Sequence, residues 1–112
     1  MQFSRNWLKE FIDIEISTEE ICRQLTMAGL EVDGYEHVKS KITGNDSIIS
    51  LDITPNRGDC FSVLGVAREL AVVNNLKLSL PKIKSVEGSY EDDINLKVCP
   101  EGPVYFGRSI KN

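Results

Sequence analysis

Histidine, paired cysteines, long apolar runs and surplus positive charge are what this chain has least of. Its single histidine, His37, stands in a polar setting. A catalytic imidazole needs a partner to orient it, so His37 is expected at the surface rather than as a base. Cys22, Cys60 and Cys99 are an odd number at spacings that fit no zinc site, which reads as reduced thiols and speaks against a disulfide framework. No Gly-Lys-Ser/Thr phosphate loop occurs. No apolar run approaches the ~20 residues of a membrane span, and Met1 to Trp7 lacks the apolar core of a signal peptide. A cytoplasmic chain with no membrane partner is expected. Thirteen Lys and Arg against 17 Asp and Glu leave a net charge of −4. That balance opposes general nucleic-acid binding, which needs a basic face against phosphates, and leaves room only for a local patch.

What is present is a hydrophobic fraction of 41% over 112 residues, enough for one small domain with a modest core. Burying a large apolar side chain is favourable by ~1.5–3 kcal/mol, against ~1.5 kcal/mol for ordering each residue. Marginal stability, with dependence on neighbouring domains, is the expectation.

The stretch from Ile48 to Val73 organises the rest. Ile49, Leu51 and Ile53 alternate with Ser50 and Asp52, the period-two pattern of a half-buried strand. Thr54-Pro55-Asn56-Arg57-Gly58-Asp59 is dense in turn formers: Pro55 biases Thr54 towards an extended conformation, and Gly58 permits a positive φ. Asp59 stands where a helix N-cap would stand. Val63, Val66, Ala67, Leu70, Ala71 and Val73 then mark one face of a helix. Strand, rigid elbow and helix are read in that order, with Asn74 and Asn75 ending the helix because Asn tolerates the left-handed conformation.

Upstream, Ser4 caps a short helix from Arg5 to about Phe11, with Trp7, Leu8, Phe11 and Ile12 as its buried stripe and Trp7 as core anchor. Ser17-Thr18-Glu19-Glu20 fits a capping box. Ile21, Leu25 and Ala28 face inward on the second helix, and Gly29 supplies its left-handed stop. Leu30 to Val38 reads as extended, with Val32 inward and Gly34 marking a bulge or close approach. Polar residues 39–47 read as an exposed loop. Downstream, Leu76 to Leu80 reads as a short strand closed by Pro81. Residues 82–93, with Glu91-Asp92-Asp93, read as a charged linker. Ile94 to Val98 and Val104 to Ile110 read as two strands joined by a turn at Pro100-Glu101-Gly102-Pro103.

Arg57 is the residue of the elbow with two readings. It can bridge to a carboxylate within the domain, or contact a phosphate or a partner. Arg57-Gly58-Asp59 also matches an extracellular adhesion tripeptide, but a turn followed by a cap accounts for it here. The residues alone end at a small α+β domain with no active site.

Two motifs carry a resemblance. Met27-Ala28-Gly29-Leu30-Glu31-Val32-Asp33-Gly34, followed by Thr54-Pro55-Asn56-Arg57-Gly58-Asp59-Cys60 with Gly65-Val66-Ala67-Arg68-Glu69, resembles the N-terminal region of bacterial phenylalanine–tRNA ligase beta subunits. Phe3-Ser4 with Trp7-Leu8 is similar to that family's start. Val98-Cys99-Pro100 with Tyr105, Gly107 and Arg108 resembles the entry to its editing domain. In the family an inserted OB-fold tRNA-binding domain commonly separates the two motifs, and here only residues 39–47 lie between them.

The resemblance implies an α+β, mainly helical fold. A compact winged-helix-like domain of three helices with short strands would span 1–80. A linker and β-hairpin-like start of the editing domain would span 81–112. It implies a non-catalytic structural domain supporting ATP-dependent charging of tRNA with phenylalanine, with no catalytic, cofactor-binding or metal-binding residue in this chain. ATP and magnesium are expected for the whole enzyme only. The partners implied are the remaining beta-subunit domains, the catalytic alpha subunit and tRNA. Arg57 and Arg68, read from the residues and not from the resemblance, are the candidate nucleic-acid or partner contacts. The alternative is a stand-alone winged-helix-like nucleic-acid-binding or protein-interaction module, in which Arg5, Lys9, Arg23, Arg57 and Arg68 converge.

Overall fold

The alternation around Ile49 and Leu51 places those side chains on one side of a strand, and that strand is the centre of the fold. The computed structural model describes residues 1–41, 44–88, 97–107 and 109–110, with only the backbone of Ser40. By internal contacts the chain divides into two units, Met1–Lys82 and Ile83–Asn112.

In the first unit the element order is β1 (Gln2–Ser4), α1 (Arg5–Leu8), α2 (Thr18–Met27), β2 (Glu31–Ser40), β3 (Gly44–Asp52), a 3-10 elbow (Pro55–Cys60) and α3 (Val63–Val73). The three strands form one antiparallel sheet in the order β1-β3-β2. The class is α+β. Strand β1, which the sequence did not announce, pairs Phe3 with Ile49. The pairing continues outward, where the Leu51 N–H donates to the Met1 carbonyl at 2.7 Å.

Two of the three expected N-caps form. Ser4 Oγ accepts from the Trp7 N–H and Ser17 Oγ from the Glu20 N–H, each satisfying one otherwise orphaned helical donor. Gly29 sits at φ +85°, and the Leu30 N–H returns to the Leu25 carbonyl at 2.9 Å, a left-handed helix stop. Asn75 takes φ 52° after α3. Register slips between Val32 and Gly34, so the bulge expected at Gly34 is present.

Several expectations are corrected. Helix α1 is one turn long and ends at Leu8. Leu8 and Ile12 are buried, whereas Trp7 is 50% exposed, because a single turn followed by tighter bends turns Leu8 inward and Trp7 out. The loop expected over residues 39–47 is corrected at both its ends: Val38 pairs with Asp46, Lys39 with Asn45 and Ser40 with Gly44. Backbone pairing makes these polar residues strand. No strand forms at Leu76–Leu80; there the Ser79 N–H donates to the Phe11 carbonyl and Leu76 packs on the core. Val73 is exposed, beyond the edge of the buried face.

The core is built from both halves of the chain. Phe3, Leu8, Ile12, Ile14, Ile21, Leu25 and Leu30 meet Ile49, Leu51, Ile53, Cys60, Val63, Val66, Ala67, Leu70 and Ala71. In the second unit the Gly102 N–H donates to the Cys99 carbonyl at 3.1 Å, closing the turn expected at Pro100-Glu101. Residues 104–107 carry no strand, and Val104, Tyr105 and Phe106 are exposed. Residues 89–96 and Arg108 lie outside the described residues. They include Glu91-Asp92-Asp93 and most of the strand expected at Ile94–Val98.

Candidate functional site

The elbow is held by its backbone before any side chain acts. Thr54 is extended, at φ −67° and ψ 150°, as the following Pro55 demands. Arg57 leaves helical space, at φ −107° and ψ 42°, and that kink aims its side chain back into the fold. Gly58 is not among the residues with positive φ, so the turn does not use the freedom expected of it. Asp59 is not the cap of α3. Ser62 is, at φ −152° and ψ 153°, its Oγ accepting from the Gly65 N–H at 3.1 Å. The chain needs the extra residues after Asp59 to finish the 3-10 turn before α3 starts.

Gly65 explains how tightly the two pieces meet. A Cβ there would lie 2.0 Å from the Asp59 carbonyl oxygen and 2.9 Å from Cys60 Cα. Only glycine lets the first turn of α3 lie against the elbow backbone.

Freed from capping, the Asp59 carboxylate receives Arg57 as a two-pronged pair, Nε to Oδ1 at 3.2 Å and a terminal guanidinium nitrogen to Oδ2 at 3.1 Å. The same nitrogen lies 3.1 Å from Glu69 Oε1 on α3 and 3.1 Å from Cys60 Sγ. The other terminal nitrogen reaches the Ala28 carbonyl at the end of α2, at 3.5 Å. One planar cation therefore ties elbow, α2 and α3 together. Its hydrogen bond to Asp59 raises the Arg57 pKa further, and the guanidinium beside Asp59 lowers that carboxyl to about 2. Burial pushes the Cys60 thiol up to about 11, reinforced by its hydrogen bond to Asp59, so Cys60 is an inert thiol rather than a nucleophile.

Among the described residues, the ligand atoms of Asp59, Cys60 and Glu69 lie within 4.8 Å of one another, close enough to share a metal ion. Arg57 touches all three, so the guanidinium already supplies the positive charge there.

Of the two contact residues expected from sequence, Arg57 faces inward and is 24% exposed, while Arg68 is exposed on α3. The three further basic residues of the convergent set are occupied within the domain: Arg5 donates to the Ile16 carbonyl at 2.7 Å, Lys9 pairs with Glu15 at 2.9 Å, and Arg23 with Glu20 at 2.6 Å.

A second polar cluster joins the hairpin to α2. Buried Ser47 Oγ lies 3.2 Å from Thr18 Oγ1 and 2.9 Å from His37 Nδ1. The Tyr35 hydroxyl donates to Glu19 Oε1 at 2.7 Å, which lowers the Glu19 carboxyl to about 2. His37 is exposed, edge-on to Tyr35 with ring centroids 5.3 Å apart. The Ser47 and Thr18 hydroxyls are buried against each other and the Tyr35 hydroxyl is engaged by Glu19, so the cluster fastens the hairpin to α2. Asp46 does similar work on the other side, accepting from Ser4 Oγ at 2.5 Å and from the Asn6 and Ser47 N–H groups at 3.0 and 2.7 Å. Burial pushes its carboxyl up, but those bonds outweigh it and hold it below the usual range. Sequence reasoning missed both clusters because it placed Asp46 and Ser47 in a loop; alternation continued back from Ile49 through Ser47 was the available signal.

No family model matches the chain. Curated relatives do. The chain is 44% identical over 77 residues to the phenylalanine–tRNA ligase beta subunit of Acinetobacter baylyi, covering 68% of this chain and 10% of that protein. It is 37% identical over 103 residues to that of Rhodopirellula baltica, covering 92% of this chain and 14% of the relative. The Idiomarina loihiensis subunit is 45% identical over 69 residues, covering 60% of this chain and 9% of the relative. The chain thus spans about a tenth of the length of the curated relatives it matches.

Proposed function

We propose that this relative of the phenylalanine–tRNA ligase beta subunits is a non-catalytic structural domain, supporting the ATP-dependent joining of phenylalanine to its tRNA by a larger assembly. The observation that carries the reading is the identity to the Rhodopirellula baltica subunit across 92% of the chain. The character of the candidate site favours a structural role. Its thiol, Cys60, is buried and its cation is consumed internally. The compact Met1–Lys82 unit is read as winged-helix-like, three helices against a small sheet. The segment from Ile83 is read as the approach to an editing domain, and its exposed Val104, Tyr105 and Phe106 are apolar groups that a completed domain would bury. Remaining beta-subunit domains, a catalytic alpha subunit and tRNA are the proposed partners, in the cytoplasm. ATP and magnesium act elsewhere in the assembly.

Aminoacylation assays test the first half of this reading: the purified chain with ATP, magnesium, phenylalanine and tRNA should form no phenylalanyl-tRNA, and detectable product would overturn it. A titration with tRNA and duplex DNA at low and moderate salt tests the nucleic-acid-binding alternative. Salt-sensitive micromolar binding lost in Arg57→Ala would favour that alternative. The internal pairing of Arg57, Lys9 and Arg23 argues for no such binding.

A further inference from the structure

We infer that the outer stripe of α3, Leu64, Arg68 and Val72 with Phe61 at its head, is a protein-docking face. Its occupant is an apolar surface carrying a carboxylate, contributed by the remainder of a phenylalanine–tRNA ligase beta subunit. The inference rests on the function proposed above and adds the surface and its chemistry. Positions 64, 68 and 72 succeed one another at four-residue steps, so their side chains form one line along the helix. The opposite face is spent in the core, where Val63, Val66, Ala67, Leu70 and Ala71 are buried. Yet the outer line is not the polar face that a solvated helix presents. Val72 is 77% exposed and Phe61 58%.

Charge selects the occupant. Arg68 is the one charged group on the line and is exposed. Among the described residues it enters none of the ion pairs, which engage Lys9, Arg23 and Arg57. The neighbouring acid, Glu69, is turned to Arg57 at 3.1 Å and does not compete. An arginine between apolar groups matches a carboxylate set in an apolar surface, and such arginines are enriched as interface anchors. A phosphate backbone would ask for several cations on one face, and this line offers one. About nine-tenths of the relatives' length lies outside the matched stretch, which is ample chain to supply such a surface.

The test uses the full 112-residue chain and, as probe, a Rhodopirellula baltica beta subunit from which the matching stretch is deleted, first shown to capture that stretch supplied separately. The chain should be captured, and Arg68→Glu and Val72→Asp should each weaken capture at least tenfold while leaving the thermal midpoint of the free chain unchanged. Capture unaffected by both substitutions overturns the docking face and leaves the proposed function standing. Failure of the unmodified chain to be captured overturns the proposed function itself. Binding of tRNA to the chain that Arg68→Glu abolishes would reassign Arg68 to nucleic acid and overturn the inference.

Discussion

At Gly65 a missing methyl group decides a contact. The Asp59 carbonyl would sit 2.0 Å from a Cβ at that position, and the obstacle is backbone, which has no rotamer to yield. Gly65→Ala should therefore cost about 3 kcal/mol or more, the upper end for overpacking, measured as a loss in urea midpoint. Ser62→Ala should cost ~0.5–2 kcal/mol as an N-cap deletion, read by the same measurement. Asp59 answers to pH instead. Its carboxyl is lowered from 3.8 to about 2 by Arg57. The stability it contributes is thus present above the unfolded-state value and is lost as pH falls from about 4 towards 2. Urea midpoints recorded between pH 6 and 2 should fall in that window, and Arg57→Ala should flatten the part of the slope that belongs to Asp59. At this scale the sequence was legible where a side chain bonds its own neighbours, as Ser4 and Ser17 do. It was opaque where two residues competed for one job: Asp59 and Ser62 are both good caps, and only the length of the 3-10 turn decides between them.

Among the elements, the β2–β3 hairpin departs furthest from its sequence. Its outer half is polar, so composition suggests a loop, yet pairing runs on to Ser40 and Gly44. A ladder is satisfied by backbone groups and needs no apolar side chains. What steadies the pair against α2 is the bond from Tyr35 to Glu19 and the hydroxyl contact between Ser47 and Thr18. Tyr35→Phe should return the Glu19 carboxyl from about 2 towards its ordinary range, since the Tyr35 hydroxyl is the largest cause of its depression; a carboxyl-detected NMR titration would show it. Helix α2 was legible in its cap, in buried Ile21 and Leu25 and in its stop, while Ala28, expected inward, is its half-buried C-cap. Its stop can be tested by Gly29→Ala. There is room for the methyl group, so the cost should be the conformational ~1–2 kcal/mol of a left-handed L-residue and nothing more, read as a shift in thermal midpoint.

For the whole molecule, the α+β class followed from alternation around Ile49 and the helical spacing after Val63. The placement of Trp7 did not, because how far a helix runs before turning depends on tertiary contacts that periodicity cannot see. Among the described residues, all those of the buried core lie in Met1–Lys82. A chain ending at Lys82 should accordingly unfold in one cooperative transition, with circular dichroism and tryptophan fluorescence giving coincident curves.

The pairing of Phe3 with Ile49 has a consequence for how the chain is born. Strand β1, whose sheet neighbour among the described residues is β3, has no strand to pair with until Ile48 to Ser50 have been made. Helix α2 can flicker on its own, but the hydrophobic interior stays open until Ala71 has been translated. Synthesis from Phe3 to Ala71 is thus a waiting period, during which chaperones would find Phe3 and Leu8 uncovered.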